Sequence, residues 1–220
     1  GGTTDIAVWK DGSLIHSQII PIGGNHFTND LAVALKIPHN EAERVKINHG
    51  SVLAEQLNQS AHITVQGISG TKPREVQFSV VADVLGARAE ELFDVIREIV
   101  TDKKLEDQIA GGFVLTGGGA LIKGMPELGE YILMRSCKIG FPLPFGGMTN
   151  IMQNPKFSTV LGLLLEAGKR KPYIATVNQA STNNHRVSLN NIKEKDMHTT
   201  NTDIISKLSD SLKSVFKEIF

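Results

Sequence analysis

The sequence predicts an α/β fold with an inserted α+β segment, followed by a polar linker and a terminal amphipathic helix. Two strand-like runs near the start are joined by Asp11-Gly12, a dipeptide typical of β-hairpins. A further apolar run, residues 113–115, leads into Gly117-Gly118-Gly119 and then into a helical pattern. Between these parts, apolar residues at helical spacing over residues 80–100 indicate one long helix.

The composition fits one or two domains with enough length for a hydrophobic core. The 220 residues are 40% apolar and 21% charged, which is ordinary for a globular protein. Basic and acidic residues number 23 each, so no excess of positive charge indicates a nucleic-acid partner. The single cysteine, Cys137, excludes an internal disulfide and favours a reducing compartment. No apolar stretch is long enough to span a bilayer.

The first segment, residues 1–35, is interpreted as a hairpin followed by a helix. Residues 6–9 and 13–20 form the two strands, and Gly23-Gly24 forms a turn. Side-chain oxygens in Thr28-Asn29-Asp30 can cap a helix, so we expect one to begin near Thr28.

Residues 36–110 have the character of an insert. The pattern predicts a helix over residues 41–46, strands over 63–65 and 76–78, and the long helix over 80–100. The glycine-rich α/β pattern returns from residue 111, where a buried strand is followed by a helix near Met125.

The opening GGTTD carries groups suited to holding phosphate. Glycines allow close approach of the backbone to a ligand, and Thr3 and Thr4 add hydroxyls and N–H donors. Asp5 adds a carboxylate that could order a water on a divalent metal. An ordinary turn between strands is the alternative interpretation.

A second set of residues points to the same kind of ligand. The triple glycine at 117–119 presents N–H groups where a helix is entered, a place that stabilises anions. Glu43 and Lys46 lie three residues apart on one predicted helix, so they could share the hydroxyls of a ligand. A tight turn and a solvated ion pair remain the alternatives.

Taken together, these motifs resemble the actin-like ATPase superfamily, and within it a family of bacterial cell-division proteins. The resemblance runs to about residue 168 and is carried by GGTTD, IPIGGNHFTNDLAVAL, EAERVK, VLTGGGALIKGM, IGFPLPFGGMT and NPKFSTVLGLLLEAG. It implies half of an actin-like (ribonuclease H-like) fold. Subdomain IIA would comprise residues 1–35 and 111–171, including a returning terminal helix, and subdomain IIB would comprise residues 36–110.

The resemblance also implies a nucleotide site for ATP and Mg²⁺. The superfamily's second phosphate motif is Asp-x-Gly-Gly-Gly-Thr-x-Asp at the tip of a hairpin, and GGTTD matches its later part. We therefore expect the chain to belong to a longer protein and to carry one wall of the cleft. The implied cofactor-binding residues are Gly2, Thr3, Thr4, Gly24, Glu43, Lys46, Gly117, Gly118, Gly119 and Met125, with Asp5 near the metal.

The function implied is that of an ATP-binding scaffold which holds tubulin-like FtsZ polymers to the inner face of the cytoplasmic membrane at the division septum. Self-association is a further expectation from the resemblance. The superfamily also contains sugar kinases and heat-shock chaperones. A kinase needs a positioned base, which no residue here obviously supplies, and a chaperone needs a β-rich domain that residues 172–220 cannot build. Hydrolysis, where it occurs, is expected to be slow.

The resemblance places the FtsZ C-terminal tail on the inserted subdomain. Spacing on the long helix leaves Arg88 and Glu91 facing outward, together with Asp94 and Glu98. Arg88 is the residue we expect to pair with an acidic group of the tail, with Glu91 beside it. An ordinary solvated helix face is the alternative.

The end of the chain predicts a membrane-surface helix. Residues 172–202 are rich in Asn, Ser and Thr, as is typical of a flexible linker. Over residues 203–220, at about 100° per residue, the large apolar side chains fall within an arc of roughly 160° and the charged ones in the other half. The apolar arc holds Ile204, Ile205, Leu208, Leu212, Val215, Phe216, Ile219 and Phe220. A helix that packs on a protein surface is the alternative.

Overall fold

The computed structural model describes residues 1–54, 61–68, 72–143 and 153–169, and the chain divides into two units, Gly1–Phe141 and Pro142–Phe220. The predicted linker 172–202 and amphipathic helix 203–220 lie outside the described residues. Among the helices that the structure does describe, none combines the length and the apolar character needed to cross a membrane.

The first unit opens with the predicted hairpin. Strands β1 (Thr4–Lys10) and β2 (Ser13–Ile20) pair antiparallel. Asp11 and Gly12 have φ values of 50° and 76°, the left-handed conformation that a two-residue hairpin turn requires. One face of the hairpin buries Val8 and Ile20, so the alternating pattern sets which side meets the core.

Two helices follow, α1 (Gly24–Leu35) and α2 (His39–His49). The prediction that α1 begins near Thr28 is wrong, because the chain becomes helical directly after Gly23. The Gly23 N–H donates to His26 Nδ1 at 3.0 Å, which satisfies a backbone donor at the start of the helix. Thr28 therefore lies inside α1, where its side chain is completely buried.

The inserted segment contains an antiparallel pair and the long helix. Strands β3 (His62–Val65) and β4 (Arg74–Gln77) pair in register, and α3 (Phe78–Asp102) starts where β4 ends. The expected helical stripe is confirmed, since Leu85, Leu92, Ile96 and Ile99 are all buried.

The remaining elements of the first unit form a parallel β–α–β arrangement. Strand β5 (Phe113–Leu115) leads through a 3₁₀ turn, Gly119–Leu121, into α4 (Met125–Leu133), and β6 (Cys137–Ile139) pairs parallel with β5. The sequence did not predict β6, which is only three residues long. In the second unit, a 3₁₀ turn at Pro155–Phe157 precedes α5 (Ser158–Lys169).

One hydrophobic core joins α1, α2, α3 and α4 in the first unit. Phe27 and Leu31 contribute from α1, Val45 from α2 and Phe93 from α3, each at most 2% exposed. A Cβ on Gly129 of α4 would lie 3.0 Å from the Phe93 ring, so the glycine lets α4 approach α3 closely. This core fixes the positions of the helices that carry the candidate site.

Candidate functional site

The structure brings the opening residues against the start of α1. A Cβ on Gly23 would lie 2.6 Å from both the Gly1 carbonyl oxygen and the Thr3 nitrogen, so only glycine fits there. The Asn25 N–H donates to the Gly1 carbonyl at 2.8 Å, and the Thr4 hydroxyl donates to the Ile22 carbonyl at 2.7 Å. The opening segment and the turn at Gly24, which the resemblance places along one cleft, are therefore neighbours.

A buried polar cluster joins α1 to α2 beside these segments. Lys46 Nζ, on a side chain only 10% exposed, lies 2.9 Å from the Gly24 carbonyl oxygen and 2.7 Å from Thr28 Oγ1. It also lies 2.7 Å from a carboxylate oxygen of Glu43. An ammonium has three N–H donors, and these three oxygens accept from all of them. Lys46 thus fastens two helices together, and the alternative of a solvated ion pair does not describe it.

Glu43 is the accessible member of this cluster. Its side chain is 41% exposed, and its Oε2 oxygen accepts from Lys46 and from the Thr28 hydroxyl. Burial favours the neutral acid, but the hydrogen bonds from Lys46 and Thr28 prevail and hold the pKa of Glu43 below its ordinary value of 4.5. Among the described residues no group hydrogen-bonds to the other oxygen, Oε1. A charged carboxylate held in place with one oxygen accessible is suited to accept hydroxyl donors from a ligand.

A second carboxylate on α2 anchors this helix to β3. Glu41 is 7% exposed, binds Arg44 through both oxygens at 2.7 Å, and accepts the Gln66 N–H at 2.8 Å. The hydrogen bonds from Arg44 outweigh the opposing effect of burial and lower the pKa of Glu41 below 4.5, and the Gln66 N–H acts in the same direction. Glu41 therefore stays charged and positions the helix that presents Glu43.

The third glycine cluster is linked to the same helix at its other end. Gly117 has a φ of 89°, and Cβ atoms built on Gly117 or Gly119 would meet nothing within 4 Å. The chain then returns to the end of α2, where the Val52 N–H donates to the Lys123 carbonyl at 2.9 Å. The turn is thus open on its outer side and tied to α2.

Two further predicted site residues, Met125 and Asp5, lie in contrasting surroundings. Met125 is 4% exposed and belongs to the hydrophobic core, so the structure gives its side chain a packing role. Asp5 is exposed on β1, opposite Ile19. In the described part of the chain, no three His, Cys, Asp or Glu residues are grouped so as to hold a metal ion.

A groove of about 500 Å³ lies between α1 and α3. Arg88 borders it, but its side chain is only 24% exposed and does not face outward as the helical spacing predicted. Its Nε lies 2.5 Å and its Nη2 3.0 Å from the two carboxylate oxygens of Asp30, and Nη1 binds Glu91. The hydrogen bonds that Arg88 donates to the Asp30 carboxylate raise the pKa of Arg88 above its ordinary value. The predicted outward position of Glu91 is confirmed, with 52% of its side chain exposed.

The sequence analysis did not identify the roles that three residues have in these sites. Thr28 was taken for a cap and Asp30 for a capping oxygen, whereas one completes the Lys46 cluster and the other holds Arg88. Glu41 was not singled out at all. The sequence contained one indication for Thr28, which follows Gly24 by one helical turn. Spacing alone could not show which helix supplies the partner of its hydroxyl.

The chain is similar in sequence to known proteins of one family. A family profile described as cell division protein FtsA matches residues 1–162. Cell division protein FtsA of Pseudomonas aeruginosa is 38% identical over 165 residues, which cover 75% of this chain and 40% of that protein. FtsA of Escherichia coli K12 is 36% identical over 171 residues, covering 74% of this chain and 41% of that protein. The chain thus spans about 40% of the length of these curated relatives.

Solved structures similar to the chain share the actin-like α/β fold. MreB5 of Spiroplasma citri bound to ADP superposes with a TM-score of 0.59 at 24% identity, covering 75% of this chain and 50% of that one. A non-polymerising MamK mutant bound to AMPPNP gives a TM-score of 0.54 at 19% identity, covering 76% and 51%. These likenesses establish the fold class that the resemblance implied.

The pH dependence of stability should reveal the role of Glu41. Because its pKa is lowered in the folded protein, its contribution is present above the ordinary value of 4.5 and is lost as the pH falls through the folded-state pKa. The free energy of unfolding should therefore be lower in Glu41→Gln than in the wild type at about pH 7, and the gap should narrow towards about pH 3.

Urea denaturation at a series of pH values measures this gap. Glu75→Gln, which alters an exposed carboxylate on β4, is the matched control and should change the free energy of unfolding little. A gap between wild type and Glu41→Gln that stays constant down to about pH 3 would contradict the assignment.

Proposed function

Because the chain belongs to the FtsA family of cell-division proteins, we propose that it is part of an ATP-binding scaffold that anchors FtsZ polymers to the inner face of the cytoplasmic membrane and helps to assemble the septal ring. The observation that carries the nucleotide part is the meeting of residues 1–4, the start of α1 and Glu43 at one place in the fold. Hydrolysis in this proposal is at most slow and serves regulation.

The proposed nucleotide site runs along three backbone segments. Gly2, Thr3 and Thr4 would meet the β- and γ-phosphates of ATP, and Gly24 would lie in the turn that lines the same cleft. Asp5 would order a water of the bound Mg²⁺. The adenosine would lie beside the turn formed by Gly117, Gly118 and Gly119, whose outer side is open at Gly117 and Gly119.

Glu43 and Lys46 take separate parts in this proposal. The free oxygen of Glu43 accepts ribose hydroxyls, while Lys46 holds the carboxylate in position. Lys46 does not itself reach the ligand, because its three donors are engaged within the protein. The Gly23 contact with Gly1 and Thr3 keeps the phosphate segment against the helix.

We place the FtsZ C-terminal tail in the groove between α1 and α3. Its floor is aliphatic, with Val33 of α1 and Val84 of α3 among its lining residues, and Val33 is 69% exposed. The three contacts that Arg88 makes with Asp30 and Glu91 leave two of the five guanidinium N–H donors for an acidic group of the tail. An ion pair shielded in an interface contributes more than one on an open surface.

The membrane part of the proposal concerns residues 203–220. Their apolar arc would lie in the interface between water and lipid, joined to the preceding part of the chain through the polar stretch 172–202. The helix has three basic and three acidic residues, so burial of apolar side chains must drive the binding. Such an attachment is reversible and would hold the protein, and the FtsZ bound to it, at the septum.

Nucleotide binding is tested first with Mg²⁺ and a fluorescent ATP analogue. The 220-residue chain supplies one wall of the cleft and should bind weakly or not at all, whereas the complete protein should bind. In the complete protein, Glu43→Gln should weaken binding roughly 2- to 10-fold, the net contribution of an ordinary hydrogen bond. Glu90→Gln on the exposed side of α3 is the control. Micromolar affinity of the chain alone, or equal affinity of the two variants, would contradict the site.

The FtsZ tail is tested with a labelled synthetic peptide and fluorescence anisotropy. Arg88→Glu should lower the affinity about tenfold or more, because it places a third carboxylate at the groove. Arg97→Glu makes the same change of charge on α3, away from the groove, and should have a small effect. If Arg88→Glu leaves the affinity unchanged, the assignment of Arg88 is wrong.

Membrane binding is tested by flotation of the chain with liposomes. Phe216→Asp puts a charge in the apolar arc and should abolish flotation. Ser214→Asp puts the same charge on the polar side of the helix, and most of the protein should still float with the liposomes. Flotation should depend weakly on salt. Equal flotation of both variants, or none of the wild-type chain, would leave a protein-packing helix as the better interpretation.

A further inference from the structure

The backbone conformation of Gly23 decides where the opening segment of the chain lies. A Cβ at this position would come within 2.6 Å of both the Gly1 carbonyl oxygen and the Thr3 nitrogen, so residues 1–3 pass directly beside it. The close approach demands glycine, but glycine is also the residue type with the greatest backbone freedom. Gly23 therefore needs a restraint from another residue to hold one conformation.

His26 supplies this restraint at both polar groups of the Gly23 backbone. The Gly23 N–H donates to Nδ1 of the His26 ring at 3.0 Å, and the Gly23 carbonyl accepts the backbone N–H of His26 at 2.9 Å. A side chain at the third helical position that binds the N-cap N–H in this way forms half of a capping box, a part usually taken by Glu or Gln. With both groups held, Gly23 keeps an extended conformation.

The same hydrogen bond defines the form of the imidazole. A ring nitrogen accepts a hydrogen bond only through its lone pair, so Nδ1 carries no proton and the neutral ring carries its proton on Nε2. An imidazolium would turn an N–H towards the Gly23 N–H and could not make this contact. The restraint on Gly23 therefore requires the neutral ring of His26.

The restrained glycine is one of two contacts that hold the first residue. Asn25, next to His26 in the first turn of α1, donates its N–H to the Gly1 carbonyl at 2.8 Å. Gly23 and Asn25 thus place the opening segment on the helix, and His26 fixes the first of these two residues.

We propose that His26 is a positioning residue of the nucleotide site, whose neutral imidazole holds Gly23 in the conformation that keeps residues 1–4 in place for the phosphates. This inference rests on the proposed function, in which residues 2–4 meet the phosphates of ATP. His26 acts through Gly23 and not by touching the nucleotide. It adds to the site a side chain that lies outside the glycine and threonine motif of the opening segment.

Removal and replacement of the acceptor test this role in the complete protein, with Mg²⁺ and a fluorescent ATP analogue. His26→Ala should weaken nucleotide binding roughly 2- to 10-fold, because the freed Gly23 must be ordered again when the nucleotide binds. His26→Gln offers a side-chain oxygen to the Gly23 N–H and should restore the affinity to within about twofold of the wild type. The control is His16→Ala, which removes an imidazole from β2 that bonds with Gln18, and it should bind like the wild type.

The form of the ring is measured separately by ¹⁵N NMR of the complete protein labelled at histidine. The signals that disappear in His26→Gln identify this residue among the histidines. In the wild type, Nδ1 should be the unprotonated nitrogen and Nε2 the protonated one. A proton on Nδ1 would overturn the inference, whether or not His26→Ala folds.

The binding results separate this inference from the proposed function. If the wild type binds nucleotide and His26→Ala binds it equally well, the inference is overturned, and a lower thermal unfolding midpoint would then show that the hydrogen bond serves stability alone. It is also overturned if His26→Gln binds as weakly as His26→Ala. In both cases the nucleotide site stands. If the wild-type complete protein does not bind nucleotide, the inference falls together with the nucleotide part of the proposed function.

Discussion

The buried ammonium of Lys46 is the interaction on which the candidate sites depend. Removing an ammonium from water is costly unless each donor finds an acceptor, and here the acceptors come from two helices. The Gly24 carbonyl and the Thr28 hydroxyl belong to α1, and the Glu43 carboxylate belongs to α2. A shift of one helix against the other would break the contacts with Gly24 and Thr28 and leave two ammonium donors without acceptors, so the cluster fixes how α1 and α2 lie against each other.

Through α1 this constraint reaches both proposed sites. The start of the helix lies against residues 1–3, and glycine is the only residue type that fits at position 23 beside them. Two residues beyond Thr28, the same helix presents Asp30 to Arg88 at the edge of the groove. A rigid helix of 12 residues therefore joins the proposed phosphate segment to the proposed FtsZ groove.

The two buried or partly buried carboxylates of α2 have different chemical uses. Glu41 is saturated by Arg44 and the Gln66 N–H, so it can only hold the helix in place. One carboxylate oxygen of Glu43 accepts hydrogen bonds from Lys46 and Thr28, and the other remains accessible. Two glutamates, two positions apart on the same helix, are thus divided by their neighbours between a structural role and the proposed ligand-binding role.

The sequence by itself determined the family and most of the elements, with the start of α1 and the short strand β6 as exceptions. Asp11-Gly12 indicated the hairpin because few pairs of residues adopt two successive left-handed conformations. The apolar stripe indicated α3 because its helical spacing repeats over many turns. Only the tertiary structure decided the partners of the charged residues. Spacing could pair Glu43 with Lys46 within one helix, but it could not show that Thr28 and Gly24 complete the cluster or that Asp30 holds Arg88. Those contacts join residues far apart in the chain, and hydrophobic packing of one helix on another is what brings them within hydrogen-bonding distance.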